Sequence, residues 1–362
     1  MESSSLQEFV ESVSGTSHLR VEYDFGDGFV RLQTSEAERR QAAQDIQCSE
    51  HIVLELLRNA RDAHASHIFV AMSRNDDKRM FTIIDDGDGI PAAMHGHIFE
   101  PRVTSKLDTS HKDAWGLHGR GMALYSIQMN AESASVVYSA PKLGTSISVT
   151  TDTTKLPERT DQSTFPLFEC PEPGRVNIRG PRNILRTICE FAIEHRSECS
   201  VFVGSPAEIC AALYQYGNAT LSAVERLFCD DVEGLIATKR LATASDPMEL
   251  ASLAASLGLA ISERTARRII DGEVASPDPI LERIVLQTDV SAGRSKKTKK
   301  ALAKSSARNI HLEKEDRLAL AESIRKTYES IADKYYLDSN VEATVKTSPG
   351  RIVISVPVIE RD

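Results

Sequence analysis

Two short stretches carry residue types at spacings that could do chemistry. The first is Glu55-Leu-Leu-Arg-Asn59-Ala-Arg-Asp62-Ala63. On a helix it puts a carboxylate, a carboxamide and a second carboxylate within about 60° of one another. Val53, Leu56, Leu57, Ala60 and Ala63 make the opposite, apolar stripe. Mg²⁺ prefers oxygen ligands, keeps several waters and takes one or two protein oxygens plus phosphates. Asn59 could supply one such oxygen. Glu55, one turn earlier, could orient and deprotonate a water that attacks a terminal phosphate.

The second stretch is Asp85-Asp-Gly87-Asp-Gly89-Ile90, an aspartate at the end of an apolar run followed by glycines that let backbone approach a ligand. A carboxylate there can accept a hydrogen bond from an adenine amino group. Two smaller segments follow. Trp115-Gly116-Leu-His118-Gly119-Arg120-Gly121-Met122 leads into an apolar helix, and its free backbone N–H groups could cradle phosphates. Gly144-Thr145-Ser146 opens a strand from which a hydroxyl could reach the adenine edge.

In this order, over about 100 residues, the four segments resemble the GHKL ATPase superfamily: gyrase B subunits, MutL mismatch-repair proteins, ninety-kilodalton heat-shock chaperones and sensor histidine kinases. Glu55–Ala63 looks like the N box, Asp85–Gly89 the G1 box, Gly116–Gly121 the G2 box and Gly144-Thr145 the G3 region. The resemblance implies ATP with Mg²⁺, the metal on Asn59, Glu55 as hydrolytic base and a flexible lid over about residues 91–118. It places nucleotide contacts at Asn59, Asp62, Ala63, Asp85, Gly87, Gly89, Ile90, Lys106, Gly116, Leu117, His118, Gly119, Arg120, Gly121, Met122 and Thr145. Asp62-Ala63 is similar to the gyrase/MutL branch, as is Thr104-Ser105-Lys106 to a MutL lid. Ile98-Phe99-Glu100-Pro101 is similar to a histidine-kinase lid, and Gly119-Arg-Gly121-Met-Ala-Leu-Tyr125 to the topoisomerase VI B subunit. With about 45 residues ahead of the N box and no helical hairpin bearing a phosphoacceptor histidine there, an autonomous sensor kinase is not expected.

These segments need elements to hold them. Ile68–Met72, Arg79–Ile84, Ala134–Tyr138 and Thr145–Thr150 are rich in β-branched or aromatic residues and read as strands between helices. The predicted class is α+β, a two-layer α/β sandwich over residues 46–155 with a mixed α/β region at 174–362. Residues 1–45 are polar, with a strand-like stretch near Phe29-Val-Arg-Leu, and Thr151–Pro173 reads as a linker or inserted loop. Beyond it the pattern predicts a helix over Pro181–Arg196, a strand over Cys199–Val203 and a helix over Pro206–Tyr216. A helical pair within 246–271, a long helix near His311–Tyr336 and two closing strands follow. The pair invites a helix-turn-helix reading with Thr265, Arg267 and Arg268 towards DNA, but its turn is two residues too long, which favours a plain hairpin.

The remaining bounds are broad. No apolar run approaches the roughly 20 residues of a membrane span, so no membrane partner is expected. Six scattered cysteines without a C-x-x-C pair read as reduced thiols of a cytoplasmic protein. A formal charge of −9 excludes a basic nucleic-acid binder as a whole. Residues 290–308, however, carry seven Lys/Arg and no acid, a run that could meet duplex DNA or bring Lys297 or Lys299 to the terminal phosphate. Two readings stay open: a DNA-associated ATPase, or a protein-directed chaperone-like, regulatory or kinase-related module. The resemblance further implies a conformational switch in which nucleotide binding couples to homodimerisation or to movement of the C-terminal region, with duplex DNA or a protein client as its partner.

Overall fold

The computed structural model describes residues 21–105, 111–113, 116–118, 121–159, 161–172, 175–227, 231–284 and 314–332, with 338, 341, 343–348 and 351–357. Those up to Ile270, with 276–284, belong to one compact unit. It begins with a hairpin, β1 (Val21–Gly26) and β2 (Phe29–Leu32), then α1 (Glu36–Asp45). Ser35 starts α1 through a capping box: its hydroxyl accepts from the Glu38 N–H, and the Glu38 carboxylate accepts from the Ser35 N–H.

Helix α2 (Ser49–Asp62) carries the first motif. Ile52, Val53, Leu56 and Leu57 on it are at most 2% exposed. Each such burial stabilises by about 1.5–3 kcal/mol, far more than helix propensity differences, so packing holds α2. It lies on a five-stranded sheet made by β3 (His67–Asn75), β4 (Lys78–Asp85), β8 (Ser133–Ser139), β9 (Thr145–Asp152) and β12 (Ser200–Gly204). Between β4 and β8 come β5 (Val103–Thr104), β6 (His111–Asp113), β7 (Gly116–His118) and α3 (Ala123–Asn130). The sheet order is β12-β3-β4-β9-β8, antiparallel except where β12 runs parallel to β3. The observed class is α+β, and the expected strands and interleaved helices are present.

The sheet continues past residue 155, the expected end of the nucleotide-binding domain. Thr151–Pro173 contains a strand, β10 (Leu167–Glu172), paired with β11 (Arg175–Arg179), and Phe168 from it is buried in the main core. Helix α4 (Ile184–Glu194) then packs beside α2 on the same side of the sheet. On the opposite side α5 (Pro206–Thr220) covers β3 and β12, with Phe69 stacked on Phe202 and edge-on to Tyr216.

After the short α6 (Ala223–Leu227), α7 (Pro247–Ser256) and α8 (Glu263–Ile270) form a packed hairpin. Its turn docks on the sheet: Ser146 Oγ donates to the Leu257 carbonyl (2.8 Å) and Thr82 Oγ1 to the Gly258 carbonyl (3.2 Å). A third layer is thus added to the sandwich of residues 46–155. The second compact unit contains α9 (Lys314–Ala332) and an antiparallel hairpin of β13 (Thr344–Ser348) and β14 (Arg351–Ser355). The basic run 290–308 lies outside the described residues.

Candidate functional site

Side chains alternate along a strand, so Phe81, Ile83 and Asp85 of β4 share the face that carries α2, as do Thr145, Ile147 and Val149 of β9. Register brings Asp85 and Thr145 directly opposite each other. Sixty residues apart in the chain, they occupy one rung of the sheet beside the motif helix. Both are buried, at 5% and 4% exposure. The Gly87 N–H donates to Asp85 Oδ1 (2.9 Å), and Thr145 Oγ1 shares a 3.0 Å hydrogen bond with Ser139 Oγ, which also accepts from the Ile90 N–H (2.7 Å).

The glycine turn after β4 is stitched to both neighbours. The Asp88 N–H donates to the Ala63 carbonyl at the end of α2 (2.8 Å), and the Gly144 N–H to the Gly87 carbonyl (3.2 Å). Two glycines are required by these approaches. A Cβ on Gly87 would sit 2.5 Å from the Ala63 oxygen; Gly144 has φ +79°, and a Cβ there would sit 2.1 Å from the Asp85 carbonyl oxygen. His64 Nδ1 pairs with Asp88 Oδ2, and His67 Nδ1 with Asp86 Oδ2, each at 2.7 Å, so this part of the motif clamps α2 and β3 together. Burial pushes the Asp86 carboxyl up, but bonds from the His67 ring, the His67 N–H and the Ser66 N–H hold it below the ordinary carboxylate value.

Above this rung lies a cavity of about 660 Å³, within the usual range for a small-molecule site. Glu55, Asn59, Asp62 and Ala63 line it from α2, Gly89 and Ile90 from the turn after β4, and Gly121 and Met122 from the start of α3. Asp85, Gly87 and Thr145 are buried and do not line it. Gly116, Leu117 and His118 form β7, paired with β6. Lys106, Gly119 and Arg120 fall outside the described residues, as do Lys297 and Lys299.

Asn59 bears on whether a metal and a nucleotide fit. Its Nδ2 is buried and has no hydrogen-bond partner, though the residue faces the cavity. A buried polar group without a partner is costly unless a ligand completes it. Among the described residues no three His, Cys, Asp or Glu side chains gather to hold a metal. A hard cation taking one amide oxygen plus phosphates needs no such cluster. The orphaned Nδ2 is an N–H donor that suits a phosphate oxygen, while the amide oxygen of the same side chain would serve Mg²⁺ carried in with a nucleotide.

Several residues of the site were not expected. Arg58, only 3% exposed, donates through Nη1 to Glu55 Oε1 at 2.5 Å. Its signal was in plain view, a cation inside the motif helix next to Asn59. Ser139 and Arg102 had no local signal, since register and chain crossings put them here. Helix α1 contributes Glu38, Gln41 and Asp45 to the cavity wall, although the only element expected in residues 1–45 is the strand-like stretch near Phe29. Among the described residues no cysteine lines the cavity, and burial pushes Cys189 to about 12, Cys199 to about 11 and Cys210 to about 12.

Comparison with known proteins covers the same elements. Residues 44–155 match the family described as histidine kinase-, DNA gyrase B-, and HSP90-like ATPase. DNA mismatch repair protein MutL of Staphylococcus aureus strains Newman, N315 and COL is 33% identical over 99 residues, which is 26% of this chain and 15% of each relative. The chain therefore spans less than a sixth of the length of those relatives in the aligned part. The matched span holds α2, the glycine turns and the Asp85–Thr145 rung, so residues 44–155 form a domain of the GHKL ATPase type, similar to its gyrase/MutL-like side.

Proposed function

We propose that the protein binds ATP with Mg²⁺ in the 660 Å³ cavity and hydrolyses it slowly. The observation that carries this reading is the convergence of Glu55, Asn59 and Asp62 with the two glycine turns on that one cavity. Asp85 would accept from the adenine amino group, with Thr145 on the same rung completing the base edge. Asn59 would hold the metal, and Gly121 and Met122 would present backbone to the phosphates. Bound Mg²⁺ supplies charge neutralisation at the phosphates. Glu55 would orient the attacking water and accept its proton, with Arg58 fixing the carboxylate from one side.

The adenine assignment is tested by Asp85→Asn. ATP affinity should fall by about 1.5–3 kcal/mol, the worth of a hydrogen bond to a charged group. Equal affinity in a calorimetric titration of the folded variant would remove Asp85 from base recognition.

What the ATP drives is a separate question. The relatives are named for DNA mismatch repair, and that favours a DNA-associated switch, dimerising or moving its second unit with nucleotide, over a protein-directed one. The expected result is retention on duplex DNA at low salt, lost when Lys296, Lys297, Lys299 and Lys300 are changed to Ala. No retention even at low salt would move the reading to a protein client. Among the described residues no helix is long and apolar enough to cross a membrane. The free, buried Cys48, Cys189, Cys199 and Cys210 support a reducing, cytoplasmic setting.

A further inference from the structure

Arg102 stands where three walls of the cavity cross. Its N–H donates to the Gly121 carbonyl (2.8 Å), and its own carbonyl accepts from Leu32 at the end of β2 (3.1 Å). The backbone there has φ +58°, a left-handed conformation uncommon for a non-glycine residue. Such strain persists only where the surroundings over-determine it. The side chain is 10% exposed and lines the cavity, beside the residue that ends the glycine-rich loop.

Two features of this guanidinium bear on a ligand. Its Nε is buried without a hydrogen-bond partner. Its Nη2 is paired with Glu38 Oε1 of α1, which also lines the cavity. The other carboxylate oxygen of Glu38 already accepts from the Ser35 N–H (2.9 Å) and hydroxyl (3.0 Å) in the capping box. Glu38 therefore keeps hydrogen bonds of its own if Arg102 leaves it. The arginine, by contrast, is incompletely satisfied as it stands, and a phosphate offers several charged acceptors to one fork of donors.

We propose that Arg102 is a phosphate-binding cation of the nucleotide site, held by Glu38 of α1 until a nucleoside di- or triphosphate takes the carboxylate's place. The exchange would report nucleotide occupancy to the N-terminal segment, since Glu38 belongs to its helix. This rests on the nucleotide reading given above.

The test uses the full chain and calorimetric titration with adenosine, ADP and ATP. Arg102→Met should weaken ATP about tenfold or more and leave adenosine unchanged. Glu38→Gln keeps the capping box, because glutamine serves at that position, and removes the competing charge. It should tighten ATP by about threefold or more, and the gain should vanish in the double variant with Arg102→Met. A structural ion pair predicts the opposite sign for Glu38→Gln. Weaker ATP binding in Glu38→Gln, or unchanged ATP affinity in folded Arg102→Met, overturns the proposal while leaving the nucleotide site standing. Failure of the wild type to bind any of the three compounds overturns the nucleotide reading and this inference with it.

Discussion

Glu55→Gln should leave ATP affinity within about threefold of the wild type and reduce the hydrolysis rate by about two to four orders of magnitude, the usual worth of a general base. Glutamine is the sharper substitution because of Arg58. That guanidinium is buried and donates to Glu55 Oε1 at 2.5 Å. Truncation to alanine would take an acceptor away from a buried charge, which costs several kcal/mol and confounds catalysis with stability. Glutamine still offers Arg58 a carbonyl oxygen but cannot take a proton from water at neutral pH.

Glu55→Ala is the companion variant. Its binding should also survive, but its thermal stability should fall below that of Glu55→Gln. Single-turnover hydrolysis, measured beside equilibrium binding, separates the outcomes. Unchanged turnover in Glu55→Gln removes Glu55 from the mechanism. A loss of binding equal to the loss of rate would make it a ligand contact.

The motif segments were legible because their chemistry is local. An N-box spacing is a property of one helix, and Glu55, Asn59 and Asp62 do face one cavity together. The strands were legible from their β-branched and aromatic residues. Register was not. Asp85 and Thr145 are singled out separately in the sequence, but only the pairing of β4 with β9 makes them neighbours. Ser139, which ties Thr145 to the Ile90 N–H, follows from the same register.

The third layer has no local signal. Thr82 and Ser146 are polar residues within strands, and only the fold shows that they satisfy the Leu257 and Gly258 carbonyls at the end of α7. Gly258 makes that docking possible. Its φ is +78°, and a Cβ on it would lie 2.6 Å from Ser148 Oγ. The glycine that follows α7 is also the point where the hairpin meets the sheet. Arg264, Arg267 and Arg268 stay exposed on α8 while Ala266 and Ile269 are buried.

Helix α2 shows the same limit. A helical wheel gives it one polar side, but Glu50 is 1% exposed and accepts from the Arg159 N–H (3.1 Å) and Gln162 Nε2 (2.6 Å). The covering chain lies more than a hundred residues downstream, beyond the reach of any local pattern. Arg58 is buried on the same helix, so a residue that would be solvated on a lone amphipathic helix becomes part of the site.

Asn59→Ala should separate function from stability more cleanly than any other change in the cavity. In the absence of nucleotide its Nδ2 is buried with no partner, so the truncation removes a desolvated donor and breaks no hydrogen bond of that atom. The apo variant should unfold at the wild-type temperature or slightly above, with a gain of up to about 1 kcal/mol, as expected where a site stores cost for its ligand. Binding should move the other way. ATP affinity in the wild type should be greater with Mg²⁺ than with a chelator, and in Asn59→Ala that difference should collapse, leaving only the metal-independent part. Thermal unfolding with and without nucleotide reads both quantities in one series, because a ligand stabilises by RT ln(1 + [L]/Kd). An apo variant destabilised by about 2 kcal/mol or more would make Asn59 a structural residue of α2. A Mg²⁺ dependence equal to wild type would move the metal to another oxygen of the same wall, where Glu55 and Asp62 also face the cavity.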